Sequence, residues 1–115
     1  MKITSITVGL SVQDLERAAR WYKELFDIKE AISPVDGVLE MEIGPVWLQL
    51  YEGKGIESDA ALRFGVQDIE RAHKRVKKLG IPAEEITEVP GVIRYFDLRD
   101  PDGHGLSFYQ LAQEG

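Results

Sequence analysis

Val12-Gln13-Asp14-Leu15-Glu16-Arg17-Ala18 is written a second time as Val66-Gln67-Asp68-Ile69-Glu70-Arg71-Ala72, 54 residues further along a chain of 115. Six of the seven positions are identical, and the seventh exchanges Leu15 for Ile69. The sequence therefore reads as an internal duplication. Repeats of this length are supersecondary units that bury their apolar faces against one another, and two copies are too few for a solenoid. The expectation is a pair of modules that closes on itself with pseudo-twofold symmetry.

Outward from the repeated string, each copy reads the same way. Ile6, Val8, Leu10 and Val12 alternate with Ser5, Thr7, Gly9 and Ser11, which predicts a strand over 2–10 with one apolar face. Asp14 is placed to cap a helix over 14–26, whose Leu15, Ala18, Ala19, Tyr22, Leu25 and Phe26 recur at helical spacing. Strands are predicted over 28–33, 37–43 and 46–52, divided by Ser33-Pro34-Val35-Asp36-Gly37 and Gly44-Pro45. The second copy predicts a strand over 61–66, a helix capped by Asp68 and ended by Gly80 and Pro82, and strands over 84–88, 92–99 and 104–110. The last two strands flank Asp100-Pro101-Asp102-Gly103, whose proline and glycine positions indicate a type I turn. The fold class is α+β: two βαβββ modules, 1–52 and 60–115, joined by a glycine-containing linker over 53–59 into a single domain.

Composition narrows the functional classes. The absence of cysteine removes disulfides, zinc thiolates, iron–sulfur clusters and thiol nucleophiles. A net charge of −6 disfavours nucleic acid and anionic lipid as partners and mildly favours cationic or neutral ligands. No basic-then-apolar N-terminal segment or long apolar run is present, so a cytoplasmic location without membrane contact is expected. Ser–His–Asp arrangements and phosphate-cradling glycine loops are also missing.

The strand-to-helix junction Gly9-Leu10-Ser11-Val12-Gln13-Asp14-Leu15-Glu16-Arg17-Ala18, its repeat over 64–72, and Arg99-Asp100-Pro101-Asp102-Gly103-His104 resemble the glyoxalase/bleomycin-resistance/extradiol-dioxygenase superfamily. The segment Arg94-Tyr95-Phe96-Asp97-Leu98-Arg99-Asp100-Pro101 is similar to its bleomycin-binding members. The resemblance implies a cavity shared by the modules, a homodimer, and in enzymes of the family one divalent metal held by four side chains. Thr7, Gln49, Ala61 and Ser107 stand at those four positions here. Hydroxyls and an amide are weak donors for divalent transition metals and alanine is none, so no metal and no cofactor is expected.

Alternation aims Trp47, Gln49 and Tyr51 away from the helix, with Val46, Leu48 and Leu50 beneath it. Thr7, Trp47, Gln49, Tyr51, Arg63, Ser107 and Tyr109 are the candidate ligand-binding residues. Glu40 and Glu42 share a strand face and are the acidic candidates, read first as solvated edge positions. His73 is read as a partly exposed helix residue and His104 as part of its turn. Trp21 and Tyr22 are assigned to packing, and Arg63 and Arg94 to ion pairs or a polar group in the cavity. These expectations describe a protein that binds an aromatic or cationic small molecule without a metal. The alternatives are a glyoxalase-like or dioxygenase-like enzyme and a non-catalytic interaction domain.

Overall fold

A computed structural model describes residues 1–54 and 62–112. The chain forms two compact units, Met1–Ser58 and Asp59–Gly115. The part of the expected linker beyond Lys54 and the expected strand residue Ala61 lie outside the described residues.

In the first unit, β1 (Thr7–Val12) leads into α1 (Leu15–Phe26), followed by β2 (Val38–Ile43) and β3 (Val46–Glu52). The sheet order is β1-β3-β2, with β1 parallel and β2 antiparallel to the central β3. Asp14 holds extended backbone angles while its carboxylate accepts from the Arg17 N–H at 3.1 Å, satisfying a donor that the first helical turn leaves open. At the other end Asp27 turns left-handed at φ 54°, and the Ile28 N–H donates to Lys23 at 2.9 Å. Ala18, Ala19, Tyr22 and Leu25 form the buried stripe of α1, and Val12, Met41, Leu48 and Leu50 are the buried apolar residues of the sheet.

Two expectations for this unit are corrected. The strand predicted over 28–33 reduces to one bridge, in which Ile32 and Glu40 exchange backbone hydrogen bonds at 2.8 Å. The left-handed Asp27 and Pro34 bracket too short a segment, and Lys29 and Glu30 break its apolar alternation. The first strand begins at Thr7 instead of residue 2 and runs on to Val12. In the parallel register Thr7 faces Trp47, and the Trp47 N–H donates to Ile6 at 2.9 Å. Two residues earlier on the partner, where the next donor would fall, is Pro45, which has no N–H to offer, so residues 2–5 gain no ladder. Ile6, expected on the apolar face of this strand, is 55% exposed for the same reason.

The second unit repeats the plan with β4 (Leu62–Gly65), α2 (Ile69–Lys78), β5 (Thr87–Val89), β6 (Ile93–Arg99) and β7 (Gly105–Leu111), in the order β4-β7-β6-β5. Asp68 caps α2 as Asp14 caps α1, accepting from the Arg71 N–H at the same 3.1 Å. The duplicated string thus performs one local task twice. Gly80, at φ 79°, ends α2. The strand expected over 84–88 splits into a bridge between Ala83 and Leu98 and the three residues of β5. Phe96 stacks on Phe108 at 5.3 Å and Phe64 tilts against Phe108 at 5.5 Å, forming an aromatic core with Ile69 and Val76.

The turn before β7 forms as expected, with the Gly103 N–H donating to Asp100 at 2.9 Å. The Asp100 side chain, 5% exposed, accepts from the backbone N–H groups of Asp102 and His104 at 2.9 and 2.8 Å. Among the described residues no helix is long and apolar enough to cross a membrane.

Candidate functional site

Each sheet has one face under its helix and one turned away, and the strand registers sort side chains between them. In the first unit the face away from α1 carries three cross-strand rows: Thr7–Trp47–Glu42, Gly9–Gln49–Glu40 and Ser11–Tyr51–Val38. All four candidates of this unit, Thr7, Trp47, Gln49 and Tyr51, therefore share one face. Trp47 and Tyr51 are half-buried, leaving ring surface for a ligand. The Gln49 Nε2 donates to Glu40 Oε2 at 3.2 Å, so Glu40 is a half-buried partner of the amide, while Glu42 is exposed.

The corresponding rows of the second unit are Arg63–Ser107–Asp97 and Gly65–Tyr109–Tyr95–Thr87. Arg63, Ser107 and Tyr109 are brought together as expected. A hollow of about 1020 Å³ opens here, lined by Arg63, Tyr95, Asp97, Arg99 and Ser107 among others. The Arg63 guanidinium lies 5.9 Å from the centre of the Tyr109 ring, within cation–π range. A Cβ on Gly65 would sit 3.1 Å from Tyr109 Cζ and 3.2 Å from its hydroxyl, so glycine is what allows that ring to lie across β4. Ser107 is 3% exposed, and its Oγ has no hydrogen-bond partner among the described residues.

Tyr95, Asp97 and Arg99 are lining residues that sequence reasoning missed. The signal was available, because they alternate with Phe96 and Leu98 just as Trp47, Gln49 and Tyr51 alternate with Leu48 and Leu50. Arg94 stands on the helix side. Its Nη1 approaches Glu70 at 3.4 Å and its Nη2 donates to Gln110 Oε1 at 3.2 Å, in keeping with the ion-pair expectation. The same Gln110 oxygen accepts from the Ile69 N–H at 2.9 Å, tying β7 to the start of α2.

The histidines stand apart from these faces. His73, expected to be partly exposed, is only 7% exposed: its Nε2 is 2.9 Å from the Glu84 carbonyl and its ring meets Phe96 edge-on at 4.7 Å. The imidazole joins the apolar stripe because a backbone carbonyl satisfies its polar tip. His104 belongs to the Asp100 turn. Tyr22 is fully buried with Trp21 edge-on at 4.9 Å, as packing residues should be.

The four positions at which the resemblance implies metal ligands do not fit a divalent transition metal. Thr7 and Ser107 offer neutral hydroxyls, Gln49 a neutral amide oxygen, and the residue at 61, outside the described residues, is alanine. Among the described residues no three His, Asp or Glu side chains cluster closely enough to hold a metal ion.

The family model of the Glyoxalase/Bleomycin resistance protein/Dioxygenase superfamily matches residues 3–108. The chain belongs to this superfamily. A Bacillus subtilis (strain 168) relative, the uncharacterized protein YwbC, is 28% identical over 117 residues, covering 89% of this chain and 93% of its own. Among solved superfamily-like folds, lactoylglutathione lyase from Agrobacterium tumefaciens aligns with a TM-score of 0.78 at 19% identity, over 93% of this chain and 92% of its own. The fosfomycin resistance protein FosX from Listeria monocytogenes aligns with a TM-score of 0.77 at 21% identity, over 96% and 93%. At these identities the two structures speak for the fold. Superfamily membership accounts for the paired modules.

Proposed function

We propose that this protein binds an aromatic or cationic small molecule on the open sheet faces without the help of a metal. The observation that carries the reading is the joint content of those faces: half-buried Trp47, Tyr51 and Tyr109 beside polar groups, in place of a donor set fit for a divalent ion. Ring faces attract planar and cationic groups, and the net charge of −6 adds weak attraction for a cation. An enzyme of the kind named among the structural neighbours is the competing reading, supported by fold alone. A cytoplasmic homodimer, expected from the sequence and the resemblance, belongs to the same proposal.

Tryptophan emission tests it, since Trp47 lies on the open face while Trp21 packs on the helix. Titration with planar aromatic cations, glycopeptide antibiotics and thiol adducts should give saturable quenching that is lost in Trp47→Ala and is the same with EDTA or added Mn²⁺ or Zn²⁺. No response to any of these, together with turnover of a hemithioacetal or catechol on adding metal, would replace the binder with the enzyme.

A further inference from the structure

The two units carry different residues at matching places on their open faces. Gly9–Gln49–Glu40 in one corresponds to Arg63–Ser107–Asp97 in the other. In the first row the middle and outer side chains satisfy each other through the Gln49–Glu40 hydrogen bond. In the second row they do not: among the described residues the buried Ser107 Oγ has no partner, and neither Arg63 nor Asp97 forms an ion pair. A buried hydroxyl without a partner is uncommon in a folded protein and calls for an explanation. Here it sits in the floor of the hollow, between a guanidinium on one neighbouring strand and a carboxylate on the other.

We infer that the hollow of the second unit binds a small aromatic zwitterion, its carboxylate held by Arg63, its ammonium by Asp97, and Ser107 hydrogen-bonding between them. Neighbouring strands are about 4.8 Å apart, so Arg63 and Asp97 stand roughly 10 Å apart at Cα, and their side chains converge on a ligand of amino-acid size above Ser107. Tyr95, which lines the hollow beside this row and pairs across strands with Tyr109, offers ring surface to the aromatic group. The inference rests on the small-molecule reading above and specifies its ligand: a molecule with two unlike charged ends, in place of a simple cation. A cation alone would satisfy Asp97 and leave Arg63 unmatched; an anion alone would do the reverse.

Calorimetric titration of the intact protein with L-phenylalanine, phenethylamine and 3-phenylpropionate separates the cases, because the latter two each lack one charged end. L-Phenylalanine should bind at least about ten-fold more tightly than either, the usual worth of one hydrogen-bonded charge. Arg63→Gln should erase its advantage over phenethylamine, and Asp97→Asn its advantage over 3-phenylpropionate. Should either variant fail to fold, the three ligands on the unaltered protein decide alone. Phenethylamine binding as tightly as L-phenylalanine would overturn the zwitterion and leave the aromatic-cation reading standing. Absence of L-phenylalanine binding at millimolar concentration would also overturn it, while the separate fluorescence titration at Trp47 decides the broader reading.

Discussion

Asp14 and Asp68 are the residues on which the duplication was first legible, and each performs the same work: its carboxylate accepts an N–H three residues on at 3.1 Å. An aspartate at a helix N-terminus also meets the positive end of the helix dipole. Asp14→Ala and Asp68→Ala should each lower stability by about 1 kcal/mol in urea unfolding, and by similar amounts because the geometries match. At this scale the sequence was also informative about the open faces, since strict alternation assigns Trp47, Gln49 and Tyr51 to one side of β3 without reference to any other strand. It was least informative for His73, because a residue at the edge of an apolar stripe is buried or exposed according to whether some distant group satisfies it. That group is the Glu84 carbonyl, 11 residues away, which no local pattern announces.

Among elements, helices and central strands were read almost to their ends, whereas segments at the margins were not. The bounds of α1, β3, β6 and β7 follow from caps, turns and apolar periodicity, all of them local. The segments over 2–6 and 28–33 have comparable alternation or length, but a strand needs a partner, and the partner's reach is a property of register. Pro45 ends the ladder on one side, and on the other only Ile32 finds Glu40. A second element-level feature escaped the sequence altogether: Gln110, on β7, uses its side-chain oxygen to hold the first N–H of α2 and one arm of Arg94. Gln110→Ala should therefore cost about 1–3 kcal/mol in denaturant unfolding, the range for a part-buried donor left without its acceptor. Glu70→Ala should cost well under 1 kcal/mol, since its ion pair with Arg94 is largely exposed.

For the whole molecule, the superfamily assignment and the paired plan of elements were both legible, because the duplicated string fixes where each module starts and the modules are copies. Assembly is a different matter. Ile3, Val35, Val92 and Leu111 are exposed apolar side chains, and the homodimer belongs to the proposal made above. The expected outcome of multi-angle light scattering at micromolar concentration is a dimer mass, and a monomer mass at that concentration would remove the homodimer from the proposal.

The unequal rows on the two open faces have a consequence for how such a protein changes over generations. A protein assembled from two identical short chains must carry every mutation twice, so whatever it places on one face it places on the other. Joining both copies in one polypeptide releases that constraint: position 9 is glycine while its counterpart, position 63, is arginine, and Gln49 is answered by Ser107. The caps that make the helices fold are the same in both halves, because both still have to fold. The faces, relieved of that duty, are free to specialise separately.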